Sequence, residues 1–265
     1  MTMNTSIFQR DRILSNRRLI GGNGIIASAL DPLAGIQVNL RFQTHRGDRI
    51  PVGLYQDVAC TVPATTDGDP IAAWRDEFTG SGLVAIQNIS SHRPKLRFEE
   101  GVPQVEFDGV DDVLILEDHF QEITDCLAVI GFKPLSSPSA GDGAGTALWQ
   151  FGTMNDGSYW AYEGNTIYDG FGTNSRRSVA SPSDLDQQFN TATVRLRSST
   201  SAYWLNGDVL MPEEAVNISW SSSPMIGGML YDNTRFAGRI SSLIVSPLTD
   251  DGTRSLIEDH LKSLH

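Results

Sequence analysis

The sequence predicts an all-β sandwich that follows an extended N-terminal arm and ends in a short C-terminal helix. Among the 265 residues, 25 are glycine and 12 are proline, enough to separate many short strands, while 40% are hydrophobic and 20% are charged. Short apolar or alternating runs, separated by turn residues, recur after about residue 50. Helical spacing is found in the final segment. Because a single β domain routinely reaches roughly 200 to 250 residues, one sandwich and an arm account for the chain.

The first 50 residues differ from the rest in charge. They contain seven arginines and three aspartates, a balance of +4, and since the whole chain carries −12, the remainder carries −16. We predict a basic anchoring arm over residues 1–50 and the sandwich over residues 51–265. An arm rich in Gly, Arg and Asn has little to bury alone, so we expect residues 1 to about 45 to dock on neighbouring subunits; the alternative is an arm folded back on its own sandwich. The arginines assigned to assembly are Arg10, Arg12, Arg17 and Arg18.

A second interpretation of the arm is export. Arg17-Arg18, a weak apolar stretch and Ala27-Ser28-Ala29 imitate a twin-arginine signal with its cleavage site. The run Gly21-Gly22-Asn23-Gly24 interrupts the apolar stretch, which disfavours this interpretation. No stretch approaches the roughly 18 apolar residues of a membrane span, so no membrane partner is expected. The net charge of −12 disfavours nucleic acid as a partner.

The elements are predicted in order from apolar runs and turn residues. Residues 127–133 form an apolar run of strand type that ends at Pro134 and leads into a Ser/Pro/Gly-rich loop. Asn206-Gly207 indicates a two-residue hairpin, and Thr249 can cap the final helix. Further short strands are predicted at 146–151, 158–162, 166–170, 194–196 and 203–205. The apolar face of the helix comprises Leu256, Ile257, His260, Leu261 and Leu264.

A series of short motifs carries more information than any single one. The most recognisable is Phe107-Asp108-Gly109-Val110-Asp111-Asp112, a strand that runs into a tight turn where Gly109 supplies backbone freedom and the aspartates can bond their own backbone. The others, in chain order, are 54–57; Asp67, Gly68 and Pro70; Trp74 with Asp76; Arg93, Pro94 and Leu96; Gly101 and Pro103; 236–240; 243–245; and 248–250.

This series resembles the concanavalin A-like lectin/glucanase domains, of the laminin-G-like kind, that recur in tailed-bacteriophage virion proteins. The resemblance covers most of the chain after about residue 50. Cys60 and Glu77-Phe78-Thr79 stand where the family more often has small or polar residues, and the usual first tryptophan of the opening strand is absent. The resemblance implies a concanavalin A-like jelly-roll sandwich.

The resemblance and the arm together favour a non-enzymatic virion structural protein, either a head decoration protein or a spike, anchored by its N-terminal arm. The alternative is a carbohydrate-binding adhesin associated with a tail, baseplate or fibre, and a polysaccharide hydrolase is a third, less favoured reading. The expected partners are other virion proteins, further copies of the chain and a host-surface glycan. The expected location is the virion, assembled in the host cytoplasm.

One acidic pattern could serve hydrolysis. Glu106, Asp108 and Asp111 have the acid-x-acid-x-x-acid spacing of glycosidases of this fold class, which need two paired carboxyl groups. Gly109 breaks the strand where the third acid should project. The same residues match the non-enzymatic turn of the family, so no catalytic residue is predicted.

Two binding sites are candidates. Asp108, Asp111 and Asp112 offer oxygen ligands for calcium on one turn, and the alternative is that they only stabilise the turn; no other cofactor is expected. Trp160 and Trp204 could stack on a sugar ring, although large aromatic residues of a sandwich belong more often to the core.

The remaining reactive side chains show no functional spacing. The cysteines, Cys60 and Cys126, are expected to be buried free thiols, with a disulfide as the alternative. The histidines show no metal-ligand spacing and are expected to have surface or half-buried roles; they are His45, His92, His119, His260 and His265.

Overall fold

The computed structural model describes residues 31–117, 120–135, 146–153, 160–163, 166–182, 185–229 and 234–265, with only the backbone for Thr146, 160–163 and Gln187. Within these residues, seventeen strands precede one α-helix. The elements are β1 (Leu40–Gln43), β2 (Leu54–Tyr55), β3 (Ala73–Arg75), β4 (Val84–Ile86), β5 (Lys95–Glu99), β6 (Val102–Asp108), β7 (Leu114–Leu116), β8 (Asp125–Pro134), β9 (Thr146–Gly152), β10 (Trp160–Glu163), β11 (Thr166–Asp169), β12 (Arg177–Ala180), β13 (Asn190–Arg197), β14 (Thr200–Leu205), β15 (Asp208–Ala215), β16 (Trp220–Ile226), β17 (Ala237–Ser246) and α1 (Asp251–Lys262).

The strands form two antiparallel sheets, which confirms the predicted all-β sandwich. The first sheet has the order β15-β14-β13-β8-β17-β6-β5, and the second has the order β12-β11-β10-β9-β16-β7-β4-β3-β2. β17 is fully paired: one side bonds to β8, while the other bonds to β6 along its first half and to β1 along its second half. The last strand of the chain therefore lies in the middle of the first sheet.

The long apolar run predicted at 127–133 forms β8, which is buried on both faces. Cys126, Ala128 and Ile130 point into the core between the sheets. Leu127 and Val129 point outward into a second apolar cluster beneath α1. A strand covered on both faces reads as a continuous apolar run, because neither face must be polar. The helix therefore extends the core to a third layer on the first sheet.

The C-terminal helix begins one residue later than predicted. Asp250 is its N-cap, and its Oδ1 accepts a hydrogen bond from Thr253 N at 2.9 Å. Thr249, the predicted cap, precedes it. Ile257 and Leu261 are buried as expected, but Leu256 is 42% exposed and lies outside the apolar face.

The Asn206-Gly207 hairpin is confirmed. The two residues join β14 to β15 with φ of +55° and +95°. Two other two-residue turns have the same signs of φ: Glu100-Gly101 joins β5 to β6 and Ser198-Ser199 joins β13 to β14. Both central residues need φ > 0, the pattern of a type I′ turn, for which glycine at the second position is the ordinary choice.

The described part of the predicted arm belongs to the sandwich. Residues 32–265 form one compact unit, and β1 pairs with β17 from Leu40 opposite Val245 to Gln43 opposite Ser242. Arg10, Arg12, Arg17 and Arg18 lie outside the described residues, as does most of the Ser/Pro/Gly-rich loop, so the anchoring role of the arm stays a prediction. In the described part of the chain, no helix is both long and apolar enough to cross a bilayer.

Candidate functional site

The acidic turn between β6 and β7 brings Asp108, Asp111 and Asp112 together. One carboxylate oxygen from each lies within 4.8 Å of the others. Asp108 Oδ1 accepts hydrogen bonds from the backbone N–H groups of Val110 at 2.8 Å and Asp111 at 3.2 Å, and Asp112 Oδ2 accepts from Asp108 N at 3.0 Å. The carboxylates of Asp108 and Asp112 therefore stabilise the turn, as one of the two predicted interpretations requires.

The clustered carboxylates of this turn are compatible with a bound cation. Asp112 is 4% exposed. Burial, reinforced by the charges of Asp108 and Asp111, raises the pKa of Asp112 to about 6. His92 Nε2 lies 3.5 Å from Asp111 Oδ2. Three carboxylates facing one another would be relieved by a divalent cation, for which oxygen ligands are suited. Calcium at this turn stays a prediction.

Glu106, the first acid of the hydrolase-type pattern, is held by two arginines. Its Oε1 accepts from Arg97 Nε at 3.0 Å and its Oε2 accepts from Arg239 Nε at 2.8 Å. Two guanidinium groups occupy both of its carboxylate oxygens, so neither oxygen is free to contact a glycosidic bond. The acid-x-acid-x-x-acid spacing here belongs to an ion-pair network and a turn.

Trp204 is buried, so its ring is not an exposed platform for a sugar. It is 5% exposed, and the guanidinium groups of Arg195 and Arg254 lie 4.8 and 4.9 Å from the centroid of its ring. A sugar ring needs a free aromatic face, which Trp204 does not offer. Trp160 lies in β10, but its side chain is outside the described residues, so its stacking role stays a prediction.

A polar layer beneath α1 was missed by sequence analysis. Arg41 and Gln43 of β1 and His260 of α1 are 5%, 1% and 7% exposed. Arg41 Nε donates to Gln43 Oε1 at 3.0 Å, and His260 Nε2 lies 3.2 Å from Arg41 Nη2. His45 is also buried, at 1% exposed, so the surface or half-buried role expected for His45 and His260 is wrong. Arg41 lies within residues 1–50, the range predicted as the basic arm.

The cysteines are free thiols in the structure. Cys126 faces the core between the sheets, where burial raises its pKa to about 12. Cys60 is only half-buried, in a loop before β3 where its φ is +55°. The predicted free thiols are therefore found, but only one is fully buried.

An open depression, here named the serine depression, was also missed. It has a volume of about 460 Å³ and lies where the β13–β14 turn meets the residue before β8 and the β15–β16 connection. Ser198 and Ser199 form the two-residue turn between β13 and β14, and neither of them is glycine. The short spacing between the two strands was the sequence signal that could have indicated this turn. The residues that line it are Thr124, Ser198, Ser199, Val216, Asn217 and Ile218.

Hydrogen bonds hold the walls of the serine depression in place. Ser198 N donates to Thr124 O at 3.2 Å, and Val216 N donates to Ser199 O at 2.8 Å. Asp125 accepts from Thr124 Oγ1 at 2.9 Å and from Ser198 Oγ at 3.2 Å. Because the backbones of three segments are joined, the depression is a formed feature of the fold.

Comparison with known proteins gives a fold without a family. No protein-family model and no curated protein matches the chain. Among solved structures, the chain is similar to a Trypanosoma rangeli sialidase in complex with 2,3-difluorosialic acid as a covalent intermediate, with a TM-score of 0.50 and 11% identity over 88% of this chain and 36% of that chain. It is also similar to the binding domain of botulinum neurotoxin DC in complex with rat synaptotagmin II, with a TM-score of 0.45 and 11% identity over 74% of this chain and 52% of that chain.

These comparisons correct one expectation. The chain spans about a third of the length of the sialidase and about half of the toxin binding domain. The expectation that the chain is not an enzyme is wrong, because a sialidase shares its fold, and the fold therefore gives no ground for excluding catalysis. At this identity the likeness shows the fold alone and assigns no reaction. The chain has a β-sandwich fold that resembles part of this sialidase.

Proposed function

We propose that the chain is a carbohydrate-binding display protein of a virion. The observation that carries this proposal is that residues 32–265 form one compact unit in which the strands build two antiparallel sheets. Part of the outer face of the first sheet lies beneath α1, against Ile257 and Leu261. A module of this kind can stand at the end of an arm and present its loops.

The edges of the sandwich support display over self-pairing. β15, one edge of the first sheet, contains Pro212 and the exposed pair Glu213 and Glu214. Proline and charge on an edge strand oppose pairing with the edge of another sheet. Pairing through this edge is therefore disfavoured, and the arm is the proposed attachment point.

The finer assignment rests on the motif series. That series favours a head decoration protein or spike whose basic arm attaches to other virion proteins, with the chain present in several copies. The alternative position is the tail, baseplate or fibre, where the same sandwich would contact a host-surface glycan. Immunogold electron microscopy of particles that contain this chain separates the two: label on the head supports decoration, and label confined to the tail supports the alternative.

The carbohydrate-binding role is tested by an array of immobilised oligosaccharides probed with the full-length protein. We expect binding to a restricted set of glycans that is competed by the same glycan in solution. Absence of binding to every glycan, with a protein that melts cooperatively, would overturn the carbohydrate role while leaving the virion assignment to the microscopy.

A further inference from the structure

We propose that the serine depression is the saccharide-binding site and that it takes an uncharged sugar. This assignment rests on the carbohydrate-binding role proposed above and names its location and ligand class. The volume of about 460 Å³ falls within the range of roughly 300 to 1,000 Å³ that small-molecule sites occupy. The depression is therefore large enough to hold part of an oligosaccharide.

The chemistry of the walls matches a sugar. Four of the six lining residues carry a hydroxyl or amide group that can both donate and accept hydrogen bonds, and Val216 and Ile218 supply apolar surface. A sugar ring presents hydroxyl groups around its rim and C–H groups on its faces, so it needs both kinds of contact. A purely apolar ligand would leave the hydroxyl group of Ser199 and the side-chain amide of Asn217 without hydrogen-bond partners.

The charge of the walls selects against an anionic sugar. None of the six lining residues is charged. Beside them, the Asp125 carboxylate accepts the hydroxyl protons of Thr124 and Ser198. These hydroxyl oxygens are thereby oriented to accept hydrogen bonds from a ligand hydroxyl, and the carboxylate repels a negative group. The nearby Arg197 is turned away, since its Nη2 donates to Thr249 O at 2.7 Å.

The backbone conformation of the Ser198-Ser199 turn indicates that its side chains serve a function. Ser198 and Ser199 have φ of +46° and +96°. In the other two turns of this shape the second residue is glycine, Gly101 or Gly207, which adopts positive φ without steric cost. Ser199 keeps a hydroxyl group in a backbone conformation that glycine would relieve. Strain of this kind is found at functional sites, and here it places the hydroxyl group on the wall of the depression.

The test uses the full-length protein on an array that carries neutral and sialylated oligosaccharides. Asn217→Ala and Ser199→Gly each remove one polar group from the walls, and we expect each to weaken binding to neutral glycans at least tenfold. Ser199→Gly also relieves the positive φ, so its melting temperature should not fall; loss of binding in this variant cannot be attributed to unfolding. Ser91→Ala, which removes an exposed hydroxyl outside the depression, is the matched control and should bind as the wild type does.

The outcomes separate this site from the broader role. If the wild type binds no glycan, the carbohydrate role itself fails. If glycans bind and both wall variants bind equally well, the role stands and the serine depression is the wrong site. If binding is confined to sialylated glycans, the inference of an uncharged ligand is overturned. Neutral-glycan binding that both wall variants lose and Ser91→Ala keeps supports the proposal.

Discussion

Thr193 of β13 donates a hydrogen bond from Oγ1 to Glu258 Oε1 of α1 at 2.7 Å, across an interface where the two residues are 0% and 3% exposed. Glu258 also accepts from Arg254 Nη1 at 2.9 Å. A carboxylate buried between a hydroxyl and a guanidinium group joins the helix to the first sheet by a polar contact within an otherwise apolar cluster.

Replacing Glu258 by alanine is expected to destabilise the protein by about 2 to 4 kcal/mol, because Thr193 and Arg254 lose their buried acceptor. Urea denaturation followed by circular dichroism measures the change. Asp259→Ala, at an exposed position on the same helix, is the control and should stay within about 0.5 kcal/mol of the wild type. Equal stability of both variants would show that the helix is held by its apolar face alone.

The ionisation of Asp112 should make the free energy of unfolding depend on pH. Its folded pKa of about 6 lies above the ordinary value of 3.8, so between these values the folded state binds a proton that the unfolded state has released. The stability contributed by Asp112 is therefore present below pH 4 and is lost as the pH rises through 6. Asp112→Asn should match the wild type at pH 4 and exceed it by on the order of 2 kcal/mol at pH 7.5.

Urea denaturation at several pH values measures this difference. Asn can still accept the hydrogen bond from Asp108 N, so the turn itself is kept. Asp208→Asn, an exposed position on β15, is the control and should follow the wild type throughout. A constant difference between Asp112→Asn and the wild type across this range would contradict the prediction.

If the acidic turn binds calcium, the ionised Asp112 should stabilise the folded protein at pH 7.5 instead of destabilising it. A bound cation favours the ionised carboxylates, so millimolar calcium chloride should raise the melting temperature of the wild type at pH 7.5. Asp111→Asn should abolish the rise. Titration calorimetry that detects no heat at millimolar calcium would leave the aspartates with the turn-stabilising role alone.

The arm is expected to control assembly. Size-exclusion chromatography with light scattering should show an oligomer for the full-length protein and a folded monomer for a variant that lacks residues 1–30. The deletion must end there, because Leu33 is buried beneath α1 and β1 pairs with β17. Replacing Arg10, Arg12, Arg17 and Arg18 by glutamine tests the charge separately. Identical monomers in all three cases would mean that the arm does not drive self-association.

Gly227 and Gly80 form a matched pair of positions that tests how tightly the core is packed. At Gly227, with φ of +81°, a Cβ atom would lie 2.2 Å from the fully buried ring of Phe107. At Gly80, with φ of +73°, a Cβ atom would meet nothing within 4 Å. Gly80→Ala should therefore cost about 1 kcal/mol for backbone strain alone, and Gly227→Ala at least about 3 kcal/mol, measured by urea denaturation. Similar losses at both positions would show that the core around Phe107 adjusts.

The features that the sequence predicted are those that depend on residues close together in the chain. The Asn206-Gly207 hairpin, the apolar run of β8 and the aspartates that bond the backbone of their own turn are all local. Arg41 and His260 could not be placed, because their burial depends on a helix that packs on β1 after more than 200 intervening residues. Ser198-Ser199 was missed since the turn lacks the glycine that normally indicates it.

The central position of β17 has a consequence for synthesis. This strand contacts β1, β6 and β8 but is translated after all three of them, so the first sheet has no middle until residue 246 has left the ribosome. Contacts between distant parts of a chain form slowly and leave strand edges exposed meanwhile. A nascent chain would therefore remain incompletely folded until residues 237–246 emerge, and a product that stops before Ala237 would be a substrate for chaperones and proteases.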